Sequence, residues 1–136
     1  MPHKVVLANG CFDPFHYGHL LHLYAARQLG DVLVVSVTRD KYVNKGPGRP
    51  VFDEKQRMAV LRALACVDEV VLSDDAMDAL QKVDPDVFVK GREYERKIRK
   101  KDEDYCAARG IEIVFTDTEK FSSTALLHHY DRLRQG

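Results

Sequence analysis

The chain carries no net charge, because 21 lysines and arginines offset 21 aspartates and glutamates. Without a global field it does not draw in nucleic acid or an anionic membrane by long-range attraction, so any anion site has to be built locally. Cysteine is scarce. Cys11, Cys66 and Cys106 stand far apart and form no C-x-x-C pair. That spacing excludes a disulfide framework or a zinc ribbon and implies the reduced thiols of a cytoplasm. No apolar run approaches the ~20 residues that cross a bilayer. The opening Met1-Pro-His-Lys4 lacks a signal-peptide core, and repeats, linkers and low-complexity tracts are missing too. The expectation is one domain spanning residues 1–136, cytoplasmic, long enough to bury a core and too short for two.

What is present alternates. Lys4 to Ala8 reads as a buried strand that runs into a turn at Gly10–Gly18. Leu20, Leu21, Leu23, Tyr24, Ala25 and Leu29 then trace a helical face ending at Gly30. Asp31 to Thr38 is a second strand, apolar nearly throughout, as in a sheet covered on both faces. The loop Lys45-Gly-Pro-Gly-Arg-Pro50 is followed by Asp53, a helix N-cap with Gln56 at the capping-box position. That helix is expected to bury Met58, Val60, Leu61, Leu64 and Ala65. Strands at 69–72, 86–90 and 111–115 alternate with helices at 75–83, 94–109 and 123–134. The pattern predicts a Rossmann-like α/β fold, a doubly wound, five-stranded parallel sheet. In such sheets ligands lie beyond the C-terminal strand ends, at the loops starting from Gly10, Arg39, Gly91 and Thr116.

The first of these loops carries the strongest chemistry. His16 and His19 flank Tyr17-Gly18 where a strand passes into a helix, so backbone N–H groups and two imidazoles meet at one helix N-terminus. A lone histidine is usually structural, and a zinc site would need a third ligand at a recognisable spacing, which is missing. Gly18 lets backbone come close to a ligand. The combination suits a phosphoryl transition state, which needs positioning and charge more than covalent help. Cys11 reads as a small turn residue whose backbone N–H matters more than its thiol. The second constellation, Phe121-Ser122-Ser123-Thr124, opens the last helix. One hydroxyl there is an ordinary cap, but three in a row suit a second phosphate-holding element.

The His16-Tyr-Gly-His19 and Ser122-Ser-Thr124 turns resemble the H-x-G-H and S-[ST]-T signatures of the small cytidylyl- and adenylyltransferases. The chain is most similar to the adenylyltransferase domain that activates heptose 1-phosphate. That likeness rests on Asn9-Gly-Cys-Phe-Asp13, Gly48-Arg-Pro-Val51, Gln56-Arg-Met-Ala-Val-Leu61 and Asp86-Val-Phe-Val-Lys-Gly91, and it runs from about Lys4 to Leu127. Glycerol-3-phosphate cytidylyltransferases are similar too, but their R-T-E-G-[IV]-S-T-T turn reads Asp117-Thr-Glu-Lys-Phe-Ser-Ser-Thr124 here. Asp117 replaces the arginine that family places on the nucleotide, and Lys120 replaces its glycine. The heptose enzymes' acidic-Gly-Cys turn is also absent at Lys120-Phe121. Archaeal flavin-nucleotide adenylyltransferases share the Phe52-Asp-Glu54 helix start.

The resemblance implies a nucleotidyltransferase that moves a nucleoside monophosphate from a triphosphate, ATP favoured, to a sugar or polyol phosphate of the heptose 1-phosphate kind. The alternatives are glycerol-3-phosphate cytidylyltransferase, FMN adenylyltransferase or a nucleotide-binding module without turnover. His16 and His19 are the expected catalytic pair. Gly10, Cys11, Phe12, Gly18, Lys90, Gly91, Lys120, Phe121, Ser122, Ser123 and Thr124 are expected on the nucleotide, and Asp40, Lys45, Arg49 and Arg57 on the acceptor. Mg²⁺ is expected with the triphosphate, mainly through phosphate oxygens and water. A homodimer is expected from the resemblance, with no nucleic acid or membrane partner. The six basic residues within 92–101 alternate with and precede acids at helical spacings, which reads as a solvated face rather than an RNA site. His3, His22, His128 and His129 read as surface or packing residues.

Overall fold

A computed structural model describes residues 3–117. The elements run β1 (Val5–Gly10), α1 (Tyr17–Arg27), β2 (Val32–Thr38), α2 (Glu54–Arg62), β3 (Glu69–Ser73), α3 (Ala76–Val83), β4 (Val87–Gly91), α4 (Lys100–Arg109) and β5 (Glu112–Thr116). Short 3₁₀ turns at Asp40–Tyr42 and Arg92–Tyr94 follow β2 and β4. All five strands are parallel, in the order β3-β2-β1-β4-β5. The expected doubly wound sheet is therefore present. The order reverses direction between β1 and β4, which opens a crevice beyond their C-terminal ends.

Strand alternation assigns the two faces. Val6 and Ala8, with Leu33, Val35 and Val37 of β2, pack against Leu23 and Ala26 of α1 and Leu61 of α2. Leu7 and Phe88 turn the other way, onto Ala79 and Leu80 of α3 and Cys106 of α4. At the N-terminal edge the aspartates that precede three strands each accept a backbone N–H of a neighbour. Asp31 takes Lys4 N–H, Asp86 takes Val5 N–H and Asp68 takes Leu33 N–H, all at 2.8 Å. These carboxylates satisfy strand-start donors that the ladder leaves over. No helix among the described residues is long and apolar enough to cross a membrane.

Three expectations change. The helix anticipated over 94–109 begins only at Lys100. Arg99 is extended there, and its guanidinium bonds Asp102 of α4 and reaches Asp75 at the start of α3. In α2, Leu61 is buried and Met58 and Leu64 pack beside it, but Val60 and Ala65 are exposed and Arg57 is buried instead. The apolar spacing was readable, but the partners that make an arginine an inward residue come from other strands. β1 also runs past Ala8 to Gly10, because β2 continues to pair with it as far as Val37. The closing helix expected at 123–134, with His128 and His129, lies outside the described residues.

Gly30, at the turn into β2, has no room for a side chain. An added Cβ would lie 2.7 Å from the Lys4 carbonyl oxygen and 2.7 Å from Val6 Cγ2. The Gly30→Ala variant is expected to lose about 1–3 kcal/mol, the usual cost of forcing an atom into packed structure. A lower urea midpoint with an unchanged m value would register it.

Candidate active site

At the start of α1 two imidazoles stack with ring centroids 3.8 Å apart. His16 caps the helix, its Nδ1 accepting Gly18 N–H at 3.1 Å, while His19 Nδ1 accepts the His16 backbone N–H at 3.2 Å. Each Nδ1 is thus an acceptor, so the neutral rings carry their proton on Nε2, a donor not engaged by the helix. Gly18 makes the stack possible. A Cβ there would come within 2.9 Å of His16 Cε1, so the missing side chain makes room for the His16 ring.

His19 is wedged among aromatic rings. Phe12 meets it edge-on with centroids 5.3 Å apart, and Phe15 is 5.6 Å away. Phe12 reaches that place from a left-handed backbone, φ 51°, and such conformations in a non-glycine residue gather at functional sites. Burial, reinforced by the positive fields of His16, His22 and Lys45, lowers the His19 pKa to about 4. The charge that a phosphoryl transition state calls for is therefore not carried by His19 in the free protein. His19 is a neutral donor at pH 7.

The loops beside the histidines are anchored by two inward arginines. Asp13, fully buried, accepts Val51 N–H at 2.8 Å, Phe52 N–H at 2.9 Å and Arg49 Nε at 2.9 Å. Burial alone would raise its pKa, but the bonds from Phe52, Arg49 and Val51 outweigh it and lower the carboxyl to about 2. Arg57, 2% exposed, donates to the carbonyls of Phe52, Cys11 and Thr38 at 2.8–3.0 Å and to Asp40 at 2.6 Å. Arg49, Arg57 and Asp40, expected on the acceptor, are therefore engaged with the protein and shape the loops. Arg57 does find the anionic partner its position called for, in Asp40.

Facing these groups is a cleft of about 420 Å³ at the β1/β4 crevice. It gathers Gly10, Cys11, Phe12, His16, Gly18, His19, Lys45, Lys90 and Gly91, all expected at the site. Burial lowers the Lys90 pKa, although Asp102 pulls it back up, and its ammonium lies 5.0 Å from the Tyr94 ring centroid. Lys120, Phe121, Ser122, Ser123 and Thr124 lie outside the described residues. One cleft residue was missed. His22, read as surface or packing, lines the cleft with its Nδ1 2.6 Å from Thr116 Oγ1 at the end of β5. Its signal was available, since residues 16, 19 and 22 fall within about 120° of one helix face.

A second chamber, about 290 Å³, adjoins the first on the α3/α4 side. Asn9, Cys11, Thr38, Lys90 and Tyr94 line both chambers. Asp74, Asp75 and Arg99 line the second alone. The arrangement can hold an anionic ligand at the helix start and a second, polar ligand next to it.

The sequence model of a cytidylyltransferase-like family matches residues 7–128. The chain belongs to the cytidylyltransferase-like family. It is similar to Bifunctional protein HldE of Citrifermentans bemidjiense, 45% identical over 95 residues, and to that of Aeromonas hydrophila subsp. hydrophila, 50% identical over 95 residues. Each match covers 67% of this chain and 20% of the relative, so the chain spans about a fifth of the length of these curated relatives. Among solved structures it is similar to the lipopolysaccharide core biosynthesis protein from Thermoplasma volcanium GSS1, at 33% identity and TM-score 0.73. That match covers 85% of this chain and 98% of that one. A protein with unknown function from Archaeoglobus fulgidus matches at 26% identity and TM-score 0.66, over 88% and 93% of the two chains. Membership in this family and the Rossmann-like sheet make this a nucleotidyltransferase-like domain.

The two histidines have a pH signature. Burial lowers His22 to about 4 as well, with Glu93 opposing and Lys90 adding to the shift. Between pH 6.5 and 4 the unfolded chain protonates at these positions and the folded chain resists. Stability is therefore highest above pH 6.5 and falls as the pH drops through this window. Urea unfolding at pH 7 and pH 4.5 is expected to show the loss, with a shallower dependence in His22→Phe.

Proposed function

We propose that the chain transfers a nucleotidyl group from a nucleoside triphosphate, ATP favoured, to a phosphorylated sugar of the heptose 1-phosphate kind. The observation that carries this reading is the pair of Nε2 donors at the α1 N-terminus, beside a cleft that shares a wall with a second, polar chamber. An oxygen of the acceptor's phosphate attacks the α-phosphorus and forms the new P–O bond. The bond from that phosphorus to the bridging oxygen breaks, and pyrophosphate leaves with the electron pair. The acceptor phosphate is already anionic, so no strong base is needed. His16 and His19 donate to oxygens of the α-phosphate, whose charge grows toward the transition state. His19 acts as a neutral donor, because its Nδ1 lone pair is held by the His16 backbone N–H and only Nε2 carries a proton.

The acceptor body sits in the second chamber rather than beside Arg49 and Arg57, because those arginines are already engaged. Asp74 and Asp75 pair with Arg39 and Arg99, but a carboxylate has further lone pairs that accept hydroxyl hydrogens, which suits a polyol. Similarity to a lipopolysaccharide core biosynthesis protein supports a sugar acceptor. Mg²⁺ bound with the triphosphate would neutralise its β- and γ-phosphates. The ion would be carried mainly on phosphate oxygens and water.

Asp117 stands where glycerol-phosphate cytidylyltransferases have an arginine, and its carboxylate pairs with Arg92 at 2.9 Å; the missing arginine places CTP second. A flavin-phosphate acceptor is the other reading, favoured by Tyr42 and Tyr94, which line the second chamber and are 46% and 44% exposed.

Pyrophosphate release measured with ATP and CTP against heptose 1-phosphate, glycerol 3-phosphate and FMN tests the reading. Tight nucleotide binding with no release for any pair would mark a binding module instead. With the active pair, His16→Ala and His19→Ala are each expected to lower kcat by about 10²–10³ while staying folded by circular dichroism. Near-wild-type turnover would remove that residue from the mechanism.

A further inference from the structure

A row of polar side chains crosses the sheet where its core is otherwise apolar. Asn9 of β1 is paired in register with Ser36 of β2. The Ser36 hydroxyl bonds the Ser73 hydroxyl of β3, and Ser73 Oγ donates to Asn9 Oδ1 at 3.3 Å. Ser36 and Ser73 are both fully buried. A hydroxyl inside a sheet is costly unless bonded, and valine or alanine would pack there without that demand. The two serines satisfy each other and direct one remaining proton at Asn9.

That proton sets which way the amide faces. With Oδ1 turned to Ser73, the Asn9 Nδ2 is left with two N–H donors and no protein acceptor among the described residues. Asn9 is the last residue but one of β1, at the crevice, and it lines both chambers. A phosphate joined to a group in the second chamber and attacking one in the first would lie along the wall the chambers share, which Asn9 helps to form.

We propose that Asn9 donates from its side-chain amide to the acceptor's attacking phosphate, and that Ser73 and Ser36 are positioning residues that hold the amide with its donors outward. The proposal rests on the transferase reading above and names a contact for its acceptor. It also gives the neutral chain a phosphate contact that adds no charge to a cleft already holding Lys45, Lys90 and the histidines.

Asn9→Asp keeps the shape but replaces two donors with a carboxylate that repels phosphate. With the active substrate pair it is expected to lower kcat/KM for the acceptor by on the order of 10- to 100-fold, the range spanned by a hydrogen bond to a charged group. In Asn9→Ala, which adds no charge to the shared wall, the nucleotide Kd should stay within about twofold, since the lost bond is not made to the nucleotide. Ser73→Ala should raise the acceptor KM in the wild-type background and have no further effect in the Asn9→Ala background, because it acts through Asn9. Turnover of Asn9→Asp within about twofold of wild type would overturn the proposal. So would a Ser73→Ala penalty that persists without Asn9, or a nucleotide Kd in Asn9→Ala weakened as much as the acceptor KM. Binding of inorganic phosphate followed by ³¹P NMR separates this from failure of the transferase reading. If the wild type releases no pyrophosphate, weaker phosphate binding in Asn9→Asp still supports the contact, and unchanged binding refutes it.

Discussion

The buried guanidinium of Arg57 is the contact on which the C-terminal edge of the sheet depends. From one side chain it reaches the carbonyls of Cys11 in the β1–α1 turn, Thr38 at the end of β2 and Phe52 ahead of α2, and it pairs with Asp40. Three segments with no regular hydrogen bonds between them are fixed relative to one another by one cation. A buried arginine is tolerable because its donors meet oxygens, and removing one partner would strand charge in the interior. The Asp13 carboxylate is the complementary device. It collects two backbone N–H groups and Arg49, and so closes the loop ahead of α2 over the first turn.

On this frame the histidines work by geometry before charge. Each Nδ1 accepts a backbone hydrogen of the helix start, which aligns the two rings and leaves each Nε2 as the donor. Phe12 and Phe15 exclude water from His19 and keep it neutral. Donors at a helix N-terminus, with Lys45 and Lys90 beside them, gather positive potential locally, so a chain of zero net charge can still present an anion-attracting cleft.

The sequence announced the sheet and the histidine turn well. Apolar runs after the glycine turns, the Asp53–Gln56 capping box and the H-x-G-H spacing are local signals, and each appears in the structure within a residue or two. The protein partners of Arg49 and Arg57 are not legible in the sequence, for a physical reason. A cation in a loop after a strand, or in the first turns of the next helix, reads as a ligand contact, and only the fold reveals that Asp13 turns an oxygen toward Arg49 and that Cys11 and Thr38 turn theirs toward Arg57. His22 was overlooked for the opposite reason, since its partner Thr116 is 94 residues away.

By itself the sequence determined the order of strands and helices, the helix N-terminus carrying His16 and His19, and the family to which they point. These depend on period, turn chemistry and spacing, which are properties of neighbours along the chain. Tertiary structure alone decided what each polar side chain meets. It made His19 neutral, directed two arginines inward, and brought His22 to β5 and Ser73 to Asn9. Such pairings depend on strand order and on burial, and both are set only when the sheet closes around the β1–β4 crevice.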